Sequence, residues 1–254
     1  MPKTVTIDAF AASAAKYQSG FAVVAVDVIR ATTTITTAVE HGRAVYPATS
    51  TDAAFAIARL LNRPLLIGEL GGNVPYGYDL TNSPAQIAAL NTVAAGQFTA
   101  PDRPLVLTSS SGVPLLVEAE KADAAYAGCL RNLSALADHL ATQHQQVAVI
   151  GAGTRGEFRR EDQLGCAWLA DKLLERGFEV SDENTLGLIE RWRGADVEQL
   201  REGRSADYLK RTGQVFDLEF VLHHIDDARV VPMFSAGVLR DVLAESPVPS
   251  GRLP

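Results

Sequence analysis

The stretch "FAVVAVDVIRATTT" (residues 21–34) decides the fold, because it joins an uninterrupted apolar run to a polar turn. The run "FAVVAV" shows no polar alternation, which favours a strand covered on both faces. Asp27 and Arg30 follow it directly. An isolated ionised carboxylate in an apolar setting is costly unless it is paired or binds a metal. Asp27 is therefore expected to have a partner.

The rest of the chain repeats this pattern of apolar runs and intervening helices. Similar runs lie at 64–68, 104–108 and 147–151, with weaker ones at 4–8, 43–47, 123–127 and 229–233. Three- and four-residue apolar spacing predicts helices over 51–61, 132–143 and 163–177. Alternating strands and helices predict an α/β fold, with a mostly parallel sheet flanked by helices.

The pattern changes between about residues 178 and 214, which are charged and helical with no strong strand. We interpret them as a C-terminal helical segment packed against the core. A single α/β domain over residues 1–254 is expected, with a frayed tail from Ser246.

Composition excludes some classes of partner. The net charge is -7, which argues against nucleic acid, because binding to its phosphate backbone needs a basic face. It leaves room for a small anionic substrate. No apolar run approaches the roughly 18 residues of a membrane span, and no signal-peptide core is visible. Two cysteines form no disulfide framework, so a cytoplasmic protein is expected. The sequence leaves open a homo-oligomer.

Four main strands each lead into polar turns, at 27–34, 68–84, 108–112 and 151–162. The carboxyl ends of parallel strands share one edge of a sheet, where open α/β sheets bind ligands. Asp27 is therefore expected to face a site built from these turns. Two interpretations stay open for Asp27 and Arg30, a structural ion pair with each other or a catalytic role. For Thr32 and its neighbours, helix capping is favoured.

The 68–84 turn is long for a connection in an α/β unit, which is typical of a functional loop. Ser83 and Pro84 fit the start of a helix, as the capping residue and the first helical residue. Glu69, Asp79 and Asn82 have no such structural explanation from the sequence.

The other two turns carry weaker signals. "TSSSG" (108–112) is suited to an oxyanion, which backbone N–H groups and hydroxyls favour at the start of a helix. In "GAGTRGEFRRED" (151–162) the glycine spacing is one residue short of a dinucleotide fingerprint, which disfavours a nicotinamide enzyme. Glu161 and Asp162 open a helix, where acids are ordinary. They can contribute to an active site only if the fold brings them close to Asp27.

These motifs resemble the 2-phosphosulfolactate phosphatase family. The matching stretches are "DVIRAT" (27–32), "GEL" (68–70), "GYDLTNSP" (77–84), "TSSSG", "AGTRGEF" (152–158) and "ED" (161–162). The late stretch "ADYLKRTGQVFDLEFVL" also looks like the family. The resemblance covers nearly the whole chain in the same order.

The resemblance implies a magnesium-dependent phosphomonoester hydrolase on an α/β fold, acting on a small sulfonated phosphoester in coenzyme M biosynthesis. The chain departs from the family pattern at two places. Leu70 stands where the family has Arg, and Ser110 or Ser111 stands where it has Asn. Arg155 is a candidate replacement for the missing charge.

Roles follow for the residues of the four turns. Asp27 and Arg30 are the candidate catalytic residues, and Asp27 is the first candidate Mg²⁺ ligand, with Glu161 or Asp162 as the second. The candidate substrate-binding residues are Thr32, Glu69, Asp79, Asn82, Ser83, Thr108, Ser109, Ser110 and Arg155.

Two routes of hydrolysis fit these residues, attack by a metal-activated water or formation of an aspartyl-phosphate on Asp27. Position 29 is Ile, so the chain lacks the second Asp of DxD phosphatases, and no histidine lies in the four turns. The metal route is favoured. A phosphate- or sulfonate-binding protein without catalysis is the alternative from another class.

Overall fold

The structure is a computed structural model that describes residues 2–90 and 103–244. One ten-stranded sheet runs through it. Its strands are β1 (Lys3–Ala9), β2 (Ala22–Val26), β3 (Val45–Pro47), β4 (Leu65–Gly68), β5 (Leu105–Thr108), β6 (Ala124–Gly128), β7 (Gln146–Gly151), β8 (Phe178–Val180), β9 (Pro232–Ser235) and β10 (Val238–Asp241).

The strand order is β4-β5-β3-β10-β9-β6-β2-β7-β1-β8. Two parallel groups make up most of the sheet, β6-β2-β7-β1-β8 and β4-β5-β3. The β9–β10 hairpin lies between them and pairs antiparallel on both sides. The prediction of a mostly parallel α/β sheet is confirmed.

The hairpin reverses the direction of one group relative to the other, because three successive pairings are antiparallel. β4 and β5 therefore run opposite to β2 and β7, and the expectation that all four turns share the edge of one parallel sheet is wrong. The turns after β2 and β5 nevertheless meet, because a Cβ added to Gly112 would lie 2.6 Å from Asp27 Oδ2.

Helices cover both faces of the sheet. They are α1 (Ala31–Glu40), α2 (Thr51–Ala58), α3 (Pro84–Ala89), α4 (Gly112–Ala119), α5 (Leu133–Gln143), α6 (Arg160–Leu174), α7 (Glu183–Trp192), α8 (Arg204–Arg211) and α9 (Val215–His223). Among the described residues, 3₁₀ helices span Ala11–Tyr17 and Val197–Arg201.

Strand β2 shows how the two faces are divided. Val24 and Val26 pack in a cluster with apolar residues of α5 to α9. Val23 and Ala25 pack on the opposite face, with residues of α1 and α4. Every residue of β2 is buried, which is why its sequence shows no polar alternation.

Most predicted elements are confirmed within a few residues, and two strands were missed. The 178–214 segment packs against the core through Ile189, Trp192 and Leu209. However, it begins with β8, which pairs in parallel with β1. The weak strand predicted at 229–233 is displaced to β9, and β10 was not predicted.

Two expectations about the extent of the domain stay untested. The tail from Ser246 lies outside the described residues, and the assignment of one domain remains a prediction. Among residues 2–90 and 103–244, no helix is both long and apolar enough to span a membrane.

Candidate active site

Asp27 lies in the turn between β2 and α1, where the Ile29–Arg30 peptide bond is cis. Thr32 fixes this turn, because its hydroxyl accepts a hydrogen bond from the Asp27 N–H (2.9 Å) and donates one to the Asp27 carbonyl (2.9 Å). Thr32 is fully buried, and its hydroxyl fixes the turn before α1. The N-cap of α1 is Arg30, and no side chain caps this helix, so the interpretation of Thr32 as a helix cap is wrong. A role in substrate binding stays a prediction.

The side chain of Asp27 is almost completely buried, with 7% exposed. It lies against the start of α4, where a Cβ added to Gly112 would come within 2.6 Å of Asp27 Oδ2. Burial raises the pKa of Asp27 to about 7, the Ala31 N–H and Arg30 oppose the rise, and the charges of Glu69 and Glu161 add to it. The fold therefore holds this carboxylate in a position that costs free energy unless a cation compensates it.

Asp162 joins the ends of two strands beside Asp27. Its Oδ1 accepts the Val28 N–H at 2.9 Å, and its Oδ2 accepts the Gly153 N–H at 3.1 Å. Burial and the charges of Asp27 and Glu161 hold the pKa of Asp162 well above its usual range.

Glu161 is the third buried acid, with 6% exposed. Burial raises its pKa, and a hydrogen bond with the Ser205 hydroxyl opposes the rise. Asp162 is hydrogen-bonded to Val28, the residue after Asp27, and the charge of Glu161 acts on both aspartates, so we call Asp27, Glu161 and Asp162 the acidic cluster.

Arg30 forms its ion pair with a residue that the sequence analysis did not select. Its Nη1 donates to Asp217 Oδ2 and to Gln214 Oε1, both at 2.5 Å. Both members of the Arg30–Asp217 pair are buried. The interpretation that Arg30 and Asp27 are each other's structural ion pair is therefore wrong.

Asp217 also holds the start of α3. Its Oδ1 accepts hydrogen bonds from the Ser83 hydroxyl and from the Ala85 N–H. Ser83 in turn caps α3 by accepting the Gln86 N–H at 3.1 Å, as predicted. The helix that carries Asp217 thus links two of the four turns.

Asn82 differs from its neighbours in the same loop. It is 3% exposed, and its Oδ1 has no hydrogen-bond partner among the described residues. A buried amide oxygen without a partner costs free energy, so a ligand that donates a hydrogen bond there, or a cation, would be stabilised.

The two acids of the 68–84 loop have structural partners that the sequence did not reveal. Asp79 accepts the Leu66 N–H at 2.8 Å, which ties the loop to β4. Glu69 accepts hydrogen bonds from the Ser110 N–H (2.8 Å), the Ser110 hydroxyl (3.0 Å) and the Gly72 N–H (2.7 Å). Glu69 therefore connects the second turn to the third.

The "TSSSG" turn is held from within and from outside. Thr108 is fully buried and donates to the Tyr78 hydroxyl at 2.8 Å. Ser109 is buried and accepts the Gly112 N–H at 3.1 Å, so it helps to cap α4. Ser111 lies 3.2 Å from the Thr154 hydroxyl, which connects the third turn to the fourth.

Arg155 and Leu70 both lie on tight turns. Arg155 is exposed, at a φ of 52°, in a turn closed by hydrogen bonds between Thr154 and Glu157. Leu70 is partly exposed and exchanges backbone hydrogen bonds with Asn73. No described contact joins these two positions, so compensation of Leu70 by Arg155 stays a prediction.

Sequence reasoning missed Asp217, Gln214, Ser205 and Gly112. For Asp217 a signal was present, because Asp217, Leu218, Val221 and Leu222 form the buried face of α9. An acid at an apolar helical position is costly unless paired, which marks it as a residue with a partner. For Gly112 the sequence carried no signal, because the close approach arises from two distant segments.

The acidic cluster fits Mg²⁺ by the type of its donors. Carboxylate and amide oxygens are hard ligands, and Mg²⁺ usually takes one or two protein carboxylates with water and substrate phosphate. In the described part of the chain, no three or more His, Cys, Asp or Glu side chains form a ready metal cage. That arrangement is compatible with a site that is completed by substrate and water.

Two shallow clefts lie beside Gln214 rather than over Asp27. One, of about 380 Å³, is lined by Gly72, Val74, Asp79, Leu80, Thr81, Gln86 and Gln214. The other, of about 390 Å³, includes Ser83, Phe216 and Asp217 in its lining. The second cleft reaches Asp217, the partner of Arg30, and neither cleft is lined by Asp27, Glu161 or Asp162.

Comparison with known proteins identifies the family. The family model for 2-phosphosulpholactate phosphatase matches residues 9–237. A probable 2-phosphosulfolactate phosphatase of Deinococcus radiodurans is 32% identical over 216 residues, covering 84% of this chain and 87% of that protein.

Two further relatives carry the same name. The protein of Pseudothermotoga lettingae is 33% identical over 220 residues, covering 83% of this chain and 88% of its own length. The protein of Carboxydothermus hydrogenoformans is 35% identical over 164 residues, covering 64% of this chain and 65% of its own. The matched range includes all four turns around Asp27, and the chain belongs to the 2-phosphosulfolactate phosphatase family.

Proposed function

We propose that this protein is a Mg²⁺-dependent phosphatase that hydrolyses 2-phosphosulfolactate to sulfolactate and phosphate. The observation that carries the proposal is the buried Asp27 carboxylate, which shares an acidic cluster with Glu161 and Asp162. The family and its named relatives support the substrate. Two buried, unpaired cysteines fit a cytoplasmic enzyme, and the substrate fits coenzyme M biosynthesis.

Asp27 would be the first Mg²⁺ ligand, with Glu161 as the second. Asp162 is less suited, because both of its oxygens already accept backbone N–H groups. Bound Mg²⁺ would neutralise charge on the phosphoryl group and favour attack by water. The burial of Asp27 makes that compensation stronger than it would be in solvent.

Arg30 supplies the fixed positive charge for the phosphoryl group. Its two described hydrogen bonds both use Nη1. A guanidinium carries five N–H donors, so Nε and Nη2 can serve substrate oxygens. Asp217 and Gln214 hold the guanidinium in place, which lowers the entropy lost when substrate binds.

The start of α4 contributes the remaining donors near Asp27. Backbone N–H groups at a helix N-terminus favour anions. Ser109 and Thr108 fix this turn by hydrogen bonds of their own. Asn82 adds a buried amide whose oxygen has no partner in the described residues.

The direct test is phosphate release from 2-phosphosulfolactate by protein stripped with EDTA, with and without added Mg²⁺. 2-Phospholactate, which lacks the sulfonate, is the matched substrate. We expect Mg²⁺-dependent release and a lower KM for the sulfonated ester. Binding of the ester without hydrolysis would instead indicate the non-catalytic binding protein. Equal KM values for the two esters would support a phosphatase but would contradict 2-phosphosulfolactate as its specific substrate.

Rapid quenching of a single turnover with a phosphorus-labelled ester separates the two routes of hydrolysis. We expect no phosphate bound to the protein at any time, because Ile29 occupies the place of the acid that aspartyl-phosphate enzymes use. Phosphate trapped on Asp27 would contradict the route through water.

A further inference from the structure

Outside the acidic cluster, the described residues contain an aromatic cluster of Tyr126, His139 and His144. Tyr126 lies in the middle of β6, His139 in the last turns of α5, and His144 just after α5. The ring centroids are 5.3, 5.7 and 6.4 Å apart. Tyr126 is almost fully buried, whereas the two imidazoles are partly exposed.

The cluster is separate from the candidate active site. Tyr126 is paired in register with Val24 of β2, three residues before Asp27 in the sequence. His144 precedes the first residue of β7, so it lies toward the amino end of that strand. Asp27, by contrast, follows the carboxyl end of β2.

The three polar atoms of the cluster converge. The Tyr126 hydroxyl lies 3.0 Å from His139 Nε2 and 2.9 Å from His144 Nε2. A phenol has one proton, so it can donate to only one of these nitrogens. The other Nε2 must carry the proton of the second hydrogen bond, and the two histidines therefore cannot both use the same tautomer.

The same distances match a metal site. Zn²⁺ binds nitrogen and oxygen at about 2.0–2.2 Å, which separates neighbouring ligand atoms by about 2.9–3.4 Å in octahedral or tetrahedral sites. The measured oxygen–nitrogen distances of 2.9 and 3.0 Å fall at the lower end of this range. The imidazole centroids lie 6.4 Å apart, so both rings must turn toward each other before one cation can contact all three atoms.

We propose that Tyr126 Oη, His139 Nε2 and His144 Nε2 bind a first-row transition-metal dication, with Zn²⁺ as the first candidate. Imidazole suits Zn²⁺, Cu²⁺ and Ni²⁺, whereas Mg²⁺ prefers oxygen ligands, so this site and the acidic cluster select different ions. On binding, the imidazole that carries its proton on Nε2 releases it and takes up one on Nδ1 from solvent, the other imidazole keeps its proton on Nδ1, and the phenol proton leaves to solvent. The metal would tie the end of α5 to β6.

Two carboxylates supply negative charge around the cluster. Asp241 acts electrostatically on His139, and Asp123 acts on His144. Both are held in place, because Asp241 accepts the Val231 N–H and Asp123 accepts the Gly20 N–H. They would offset the charge of a bound dication without being its ligands.

The test is a calorimetric titration of EDTA-treated protein with Zn²⁺ in the presence of excess Mg²⁺. We expect one Zn²⁺ per chain, with the dissociation constant raised at least tenfold in His139→Gln and in His144→Gln. His223→Gln is the matched control, because His223 is an exposed histidine on α9 and should leave the affinity unchanged. Circular dichroism checks that each variant is folded.

The phenolate gives an independent signal. Zn²⁺ should produce the ultraviolet difference spectrum of tyrosinate in the wild type and in Asp27→Asn, and none in Tyr126→Phe. The proposal would be overturned if the wild type bound no Zn²⁺, if His223→Gln lost as much Zn²⁺ affinity as the two cluster variants, or if Asp27→Asn lost the tyrosinate signal. The last result would assign the ion to the acidic cluster instead.

Discussion

The buried pair of Arg30 and Asp217 should dominate both stability and substrate binding at this site. The side chains are 5% and 3% exposed, and their atoms are 2.5 Å apart. Removing one partner of a buried pair leaves an uncompensated charge and costs about 3–5 kcal/mol. Asp217→Ala should therefore lower the free energy of unfolding by that amount.

Asp217→Ala should lower Tm by about 6–20 °C, since 1 kcal/mol corresponds to about 2–4 °C in a chain of this length. The KM of Asp217→Ala for 2-phosphosulfolactate should also rise, because Arg30 loses the carboxylate that orients it. Asp217→Asn keeps an acceptor for Ser83 and Ala85, so a smaller loss of stability is expected. Urea denaturation followed by circular dichroism measures the first effect, and steady-state phosphate release measures the second.

A double variant separates the structural effect from the functional one. Replacing a buried pair by apolar residues of similar volume is often neutral for stability. Arg30→Met with Asp217→Leu should therefore recover stability relative to Asp217→Ala but be inactive, because Arg30 is lost. Lys121→Ala is the control, since the Lys121–Glu118 pair is exposed and should contribute at most about 1 kcal/mol. If Asp217→Ala lowers the free energy of unfolding by less than about 1 kcal/mol, the Arg30–Asp217 pair behaves like an exposed ion pair and the prediction is refuted.

Three further predictions follow from single residues. Gly112→Ala places a methyl group 2.6 Å from Asp27 Oδ2, so activity should be nearly lost at a cost in stability of about 1–3 kcal/mol. Gly187→Ala is the matched control, because Gly187 lies at an open helical position. Equal activity in both variants would show that Asp27 tolerates displacement. Leu70→Arg should lower the KM for 2-phosphosulfolactate about tenfold or more, since one charged hydrogen bond adds about 1.5–3 kcal/mol; an unchanged KM would show that position 70 does not contact substrate. Asp182→Ala removes the N-cap of α7 and should cost about 1 kcal/mol near neutral pH. Burial opposes ionisation of Asp182, but its hydrogen bonds lower the pKa overall, so its stabilisation is present above the usual Asp pKa of 3.8 and is lost as the pH falls below it. The urea midpoints of the wild type and of Asp182→Ala should therefore converge as the pH falls. A difference in midpoint that stays constant with pH would contradict the assignment of Asp182 as an ionised N-cap.

The strongest strands could be predicted from the sequence, because residues buried on both faces of a sheet form continuous apolar runs. β2 is the clearest case, with every residue buried. β8 could not be predicted in this way, since it has three residues and an exposed Glu179 in its centre. The turn between β9 and β10 was also missed, because Ala236 has a positive φ at a position where type I′ turns usually carry Asn, Asp or Gly.

The β9–β10 hairpin changes the explanation of why the four turns meet. The turns were expected to meet because all strands were taken as parallel. They meet although β5 runs opposite to β2, and contacts such as that between Ser111 and Thr154 connect them. Strand direction across a sheet depends on pairing between distant segments, and single-sequence patterns carry no information about it.

The partner of Arg30 illustrates the same limit for side chains. Arg30 and Asp27 are three residues apart, which made a local ion pair plausible. The actual partner, Asp217, is 187 residues away in sequence. The packing of α9 against α3 and the core brings it there, so the sequence could indicate that Asp217 needs a partner without identifying which one.

The central claim is that Asp27 holds the metal on which phosphomonoester hydrolysis depends. The most direct measurement is the Mg²⁺ dependence of phosphate release from 2-phosphosulfolactate by wild type and Asp27→Asn, each stripped of metal and checked for folding by circular dichroism. We predict saturable activation of the wild type by Mg²⁺, and a folded Asp27→Asn protein with activity at least a hundredfold lower at every Mg²⁺ concentration. Near wild-type activity in Asp27→Asn, or full activity of the wild type without any divalent metal, would contradict the account.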